Sequence, residues 1–302
     1  MSDNKFGLNP PKSFREQLSI LVNEHKLDIN LSDLEEVRQA ELILMNMNYY
    51  ILKGYGIAGN LLSRNDKDGY EFKSGTKITT LYDFYLFDCE LKNILLYAIG
   101  IIEKNLRVTI ANHLCCKYND PECNTTDICN NEENVKLFED VKKRLNDDYN
   151  RHSVSNDVAA HFIKDKQGHF PIWVIIESFS FGDLFYFYVN LSDPDKFAIA
   201  TKYNIDIPRL QNWMYAIKRV RNICCHFNRL YGKPLISLKN CKKLNVDETN
   251  SNTIIALVNV IKYLLSICDN DQSKLFSEKF DDLVKKYKFL NLSKLWNNKG
   301  DK

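Results

Sequence analysis

The sequence predicts an all-α fold, a helical bundle with helical extensions at both ends. Three observations predict it. Apolar residues recur at three- and four-residue spacing over most of the chain. The 302 residues include only 11 Gly and 7 Pro, too few for a turn-rich all-β domain. No stretch sustains the strict alternation of a half-buried strand. The length is ample for a hydrophobic core. With 44% hydrophobic and 26% charged residues, a disordered or collagen-like chain is excluded.

The elements follow in order. Ser13-Phe14-Arg15-Glu16 and Ser32-Asp33-Leu34-Glu35 both fit the capping box, in which Ser and Glu satisfy each other's free backbone donors. The first opens a helix with Phe14, Leu18 and Leu21 at helical spacing, the second one with Leu34, Val37, Leu42 and Met45. Gly54 to Gly75 reads as turn-rich, with room for a short hairpin. From Ile78 to Tyr118 runs the longest helical pattern, free of proline and ended by Asn119-Asp120-Pro121. Residues 119–133 read as a polar loop and 134–149 as a charged helix. Pro171 starts an aromatic-rich helix to Val189, broken near Ser180-Phe181-Gly182-Asp183. Asp193 before Pro194 is a good N-cap. A helix from Pro208 to Leu230 and two closing helices, Thr253 to Cys268 and Ser273 to Tyr287, complete the set. The segments are therefore 1–75, N-terminal helices and turns; 76–233, the core; and 234–302, a C-terminal helical extension, together one compact unit.

The N-terminus MSDNKFGLNPPKSF has no apolar run and no small-residue cleavage site, so no secretory signal is expected. The longest apolar run, Ile94 to Ile102, falls far short of the roughly 20 residues that span a bilayer. A cytoplasmic protein with no membrane partner is expected. The nine Cys include two adjacent pairs and lack the C-x2-C spacing of zinc sites. His113 near Cys115, Cys116, Cys123 and Cys129 leaves a metal site open, but free thiols in a reducing compartment are the simpler reading. No metal or cofactor is expected.

A formal net charge of +2, from 41 Lys+Arg against 39 Asp+Glu, at first argues against a nucleic-acid partner. The average conceals a segregation. Between Asp206 and Asp247 there is no acid, and the interval holds nine Lys and Arg, leaving about −7 for the rest. Arg209, Lys218, Arg219, Arg229 and Lys233 are the candidate RNA-contacting residues. Clustered cations suit phosphates; a solvated basic face without a ligand fits the charge equally well.

Within this tract stands Arg221-Asn222-Ile223-Cys224-Cys225-His226. A histidine exchanges protons near neutral pH. An arginine offers a planar fork of donors to a phosphoryl transition state. Asn222 and His226 are one helical turn apart and share a face. No carboxylate cluster marks a two-metal nuclease, so the chemistry that remains is RNA cleavage by 2′-OH attack. The spacing alone also fits a core histidine and a surface arginine. Upstream, Glu103 and Arg107 fit an ordinary i,i+4 pair. They could also support the motif across a helix interface, as could His113. His25, His152, His161 and His169 have no motif spacing. Trp173, Phe179, Phe181, Phe185 and Phe187 read as core packing rather than base stacking.

Arg221 to Tyr231, read RNICCHFNRLY, resembles the signature of the Abi family of abortive-infection proteins (the AbiD and AbiF type), in the HEPN superfamily. The resemblance extends to Asn48-Tyr49-Tyr50 with Gly54-Tyr55, to Tyr82–Leu114 with Glu103 and Arg107, to Pro171-Ile172-Trp173, and to Ser178–Leu184. It covers roughly residues 12–233 and implies a HEPN-like helical core in phage defence. It implies a metal-independent endoribonuclease with Arg221 and His226 catalytic and Asn222 orienting or polarising. It also implies a homodimer that brings two motifs together, and a structured non-coding RNA as a regulatory partner in a toxin–antitoxin arrangement. Cys225 stands where the family often has a small residue; a thiol fits the same space. A HEPN module that binds RNA or protein without cutting is the alternative.

Overall fold

The computed structural model describes residues 10–64, 69–123, 128, 131–151, 157–239, 244 and 250–297. Among these are twelve α-helices and one two-stranded sheet, so the all-α expectation holds. His152, Lys242 and Lys243 lie outside the described residues, as do 124–127 and 129–130 of the 119–133 loop.

α1 (Phe14–Asn23) begins where its capping box predicts: Glu16 N–H donates to Ser13 Oγ, and Ser13 N–H to the Glu16 carboxylate at 2.7 Å. α2 (Leu34–Asn46) is capped by Asp33 rather than Ser32. The Asp33 carboxylate accepts from the Glu35 and Glu36 N–H groups and sits favourably at the positive end of the helix. α3 (Tyr49–Ala58) corrects the turn reading at Gly54 and Gly56, which lie inside the helix. They provide space: a Cβ on Gly54 would stand 2.9 Å from Arg229 Nε, and one on Gly56 3.0 Å from the Phe72 ring. The hairpin is real, pairing β1 (Leu62–Arg64) with β2 (Tyr70–Phe72) antiparallel, Leu62 opposite Phe72.

α4 (Ile78–Tyr118) is unbroken over 41 residues, about 60 Å long. Leu81, Phe84, Leu91, Leu95, Ile99, Leu106 and Leu114 make its buried stripe. Asn119, with φ 52°, ends it. α5 (Glu132–Asn150) is followed by α6 (Asp157–Asp165), which periodicity did not pick out. The aromatic helix is broken as expected into α7 (Ile172–Ile175), a 3-10 turn (Ile176–Ser178) and α8 (Phe181–Val189), the last opened by a Ser180–Asp183 capping box. Ser192, not Asp193, caps α9 (Asp193–Lys202). α10 (Ile207–Cys225) stops five residues before the predicted Leu230. Phe227 takes φ 52°, which a helix cannot continue through. α11 (Ile254–Cys268) and α12 (Asn270–Lys286) close the chain.

Packing groups the chain into two compact units, each assembled from separate stretches. One comprises Met1–Asn93, Phe227–Pro234 and Phe280–Lys302; the other Ile94–His226 and Leu235–Lys279. The first is organised around Asp88, fully buried beside Lys92. Asp88 accepts from Tyr55 Oη at 2.8 Å and from the N–H groups of Leu230 at 3.1 Å and Tyr231 at 2.7 Å. Tyr231 in turn stacks on Phe84 and meets Phe87 edge-on. In the second unit Phe138, Phe179 and Phe187 pack edge-to-face around one another. α10 packs on α8, α9 and α11.

Candidate active site

α10 carries the motif and α4 its support. Arg221 is 37% exposed, and its Nε lies 3.9 Å from Glu103 Oε2. The other Glu103 oxygen accepts from Arg107 NH2. Arg107 is buried and also donates to the carbonyls of Ile176 and, at 2.8 Å, Phe179. A buried guanidinium needs such a set of acceptors. One carboxylate thus lies between a fixed arginine and a solvent-facing one.

Asn222 and His226 are both exposed. His226 is the C-cap of α10, its N–H donating to the Asn222 carbonyl at 3.1 Å. Among the described residues neither side chain has a hydrogen-bond partner. Both are open to a ligand on the same face as the last turn of the helix. Cys225 is exposed too, so its size meets no packing limit.

His113 belongs elsewhere. Its Nε2 is 2.8 Å from Asp195 Oδ1, which also accepts from Lys117 Nζ at 2.7 Å, while Tyr118 and Ser192 donate to Oδ2. Burial pushes the Asp195 carboxyl up, but the donors Lys117, Ser192, His113 and Tyr118 outweigh it and hold it at about 2. The network ties the C-terminal turn of α4 to the start of α9. Among the described residues, no hydrogen bond or ion pair joins His113 to Arg221, Asn222 or His226.

The basic tract is not one surface. Arg209 is paired with Asp206 in the first turn of α10, and its Nε is buried without a partner among the described residues. Lys218 is buried, with Nζ 4.5 to 4.9 Å from the ring centres of Phe185, Tyr186 and Tyr215, a cation–π cage. Arg219 is exposed. In the other unit, Arg229 donates to the Tyr231 carbonyl at 2.6 Å. Burial draws its pKa down, against the pull of Tyr55 and Asp88. Lys233 is half-buried.

Four of the five aromatic residues assigned to the core are there. Trp173 is not: it is 51% exposed. It lines a cleft of about 300 Å³ with Arg107, Val108, Ala111, Asn112 and Ile176. Neither the cleft nor its link to Arg107 was legible in the sequence, although a Trp two residues after a buried proline marks a position on the opposite side of the chain. The first unit has a larger cleft, about 840 Å³, along the Asn48-Tyr49-Tyr50 segment. His25, without motif spacing, stacks on Tyr70 there at 4.1 Å, and Lys53 Nζ lies 3.8 Å over the same ring.

Among the described residues no group of three His, Cys, Asp or Glu could hold a metal ion, and no disulfide joins the seven described cysteines. No described helix is long and apolar enough to cross a membrane. No curated protein and no solved structure matches the chain significantly. The family model described as Abi-like protein matches residues 42–232, from α2 through the whole of α10 and the turn at Gly232. With more than half of its length matched, and with Arg221, Asn222 and His226 inside the match, the chain belongs to the Abi-like protein family, which points to abortive-infection phage defence.

Proposed function

We propose that the chain is a HEPN-type endoribonuclease that acts without a metal. His226 exchanges the proton, Arg221 holds the charge that builds on the phosphoryl oxygens, and Asn222 orients or polarises the phosphate. The 2′-OH attacks the adjacent phosphorus, the bond to the 5′ oxygen breaks, and the products end in a 2′,3′-cyclic phosphate and a 5′-OH. The observation that carries the reading is the Arg107–Glu103–Arg221 chain beneath an open Asn222 and His226. A buried arginine fixes the glutamate, and the glutamate steers a guanidinium that still faces solvent. A single histidine handles one proton at a time. A second copy of the chain, contributing its own motif, supplies the second group in the homodimer this reading expects. RNA is the substrate and a structured RNA the regulator.

The test is cleavage of total RNA in EDTA with end mapping. Wild type should leave cyclic-phosphate ends, and Arg221→Ala and His226→Ala should each lose at least a hundredfold in rate. Equal cutting by all three would refute the site. RNA binding without turnover, unchanged in His226→Ala, would instead establish the non-catalytic binding module.

A further inference from the structure

The cleft beside Arg107 has a composition that packing does not explain. An indole half open to water forms one wall, and an exposed Trp facing an open cleft is a surface that stability alone does not select. Ala111 and Ile176 give it a buried apolar floor. Asn112 is exposed at its edge. Its volume, about 300 Å³, is at the lower end of the range for small-molecule sites, about 300–1,000 Å³. That suits one planar heterocycle and no run of several residues.

We propose that this cleft is a nucleobase subsite. It takes one unpaired base of the RNA substrate flat against the Trp173 indole. The Asn112 amide, with a donor and an acceptor on one plane, reads the base edge. The inference rests on the ribonuclease reading for the identity of the strand, but its geometry is independent of catalysis. Arg107 belongs both to the cleft and to the Glu103–Arg221 chain. Along α4, Arg107 is one turn and Ala111 two turns from Glu103, about 6 and 12 Å. A base in the cleft therefore belongs to a nucleotide close to the phosphate at Arg221. Stacking does not distinguish bases strongly, so preference comes from Asn112.

The test uses the full chain carrying His226→Ala, which prevents turnover. Short single-stranded RNAs bearing 2-aminopurine or an abasic position are titrated, and AMP is titrated separately. Trp173→Ala should weaken RNA binding about tenfold, Trp173→Phe less than twofold. Neither should change the salt dependence, because no phosphate contact is lost. In the otherwise wild-type chain, Asn112→Ala should flatten the base preference at cleaved sites. Equal RNA affinity in Trp173→Ala would overturn the subsite. So would an equal loss in Trp173→Phe with a lowered melting temperature, which marks a structural role, or binding of AMP with none of RNA. Trp173-dependent RNA binding by a chain that never cuts RNA would uphold the subsite and sink the ribonuclease reading, so the two fail separately.

Discussion

Asp88→Asn should be among the most destabilising single substitutions in the chain. The carboxylate is fully buried and lies 3.4 Å from Lys92 Nζ, itself only 2% exposed. Among the described residues Lys92 has one other acceptor, the Asn228 carbonyl at 3.4 Å. Removing the negative charge leaves a buried ammonium with that single weak bond, and breaking one partner of a buried pair costs about 3–5 kcal/mol. The amide also turns an NH2 toward donors that Asp88 now accepts from, so at least one of the Tyr55, Leu230 and Tyr231 hydrogen bonds is lost as well. These terms overlap and do not simply add. The expected loss is about 4 kcal/mol, read as a lower midpoint in urea unfolding followed by circular dichroism. Lys92→Met alone should cost less, because three donors still satisfy the carboxylate. The double variant should recover about 1–3 kcal/mol relative to the sum of the singles. An Asp88→Asn loss below about 1 kcal/mol, or singles that add, would refute the view of Asp88 as the charge-paired centre of its unit.

Other expectations concern the site and its charge. Glu103→Gln keeps the shape but removes the attraction at 3.9 Å; with Arg221 partly in solvent that is worth about 1 kcal/mol, so turnover should fall roughly five- to tenfold with little change in KM, and an unchanged kcat would remove Glu103 from the site. The Asp195 carboxyl, held at about 2 against an ordinary 3.8, contributes stability that is complete above about pH 4 and fades as pH falls toward 2; the depressed value corresponds to about 2 kcal/mol, and an acid-unfolding curve that Asp195→Asn leaves unchanged over that window would contradict the network. If Arg209, Lys218 and Arg229 are occupied within the fold, at most six of the nine basic residues remain for phosphates, so log K for single-stranded RNA should fall against log salt with a slope no steeper than about −4, not the −6 that all nine would give; Lys218→Met should leave that slope unchanged.

Local rules carried much of the fold. α4 was readable from end to end because its apolar stripe is unbroken and Asn119-Asp120-Pro121 cannot continue a helix. Two of the errors share one cause, a partner far along the chain. Gly54 and Gly56 look like turn residues, and the reason they sit inside α3 is a pair of side chains, Arg229 and Phe72, that need the missing Cβ space. Leu230 continues the helical spacing of α10, but its N–H and that of Tyr231 are taken by Asp88, about 140 residues earlier. At the site, the i,i+4 pairing of Glu103 and Arg107 was legible, and so was the shared face of Asn222 and His226. The contact of Glu103 with Arg221 was only one option among several. His113 was assigned a supporting role because nothing in its spacing announces Asp195.

The charge of the tract was one sequence argument for RNA, and the structure redistributes its weight. Lys218 is buried among three rings, Arg209 answers Asp206, and Arg229 is desolvated against Tyr231. These cations serve the fold, and a chain can be locally rich in Lys and Arg because helices and turns need them. The cations left facing water on α10 are fewer, Arg219 and Arg221, with Asn222 and the C-cap His226 beside them. A surface that gripped RNA by charge alone would keep its cations free and would bind all sequences alike. One that spends few charges on phosphate must draw its affinity from elsewhere, and the open indole at Trp173, linked to Arg221 through Arg107 and Glu103, is where this fold offers it. On the proposed ribonuclease reading, this balance of forces favours a site that holds an unpaired strand by stacking, with a few well-placed cations at the phosphate to be cut.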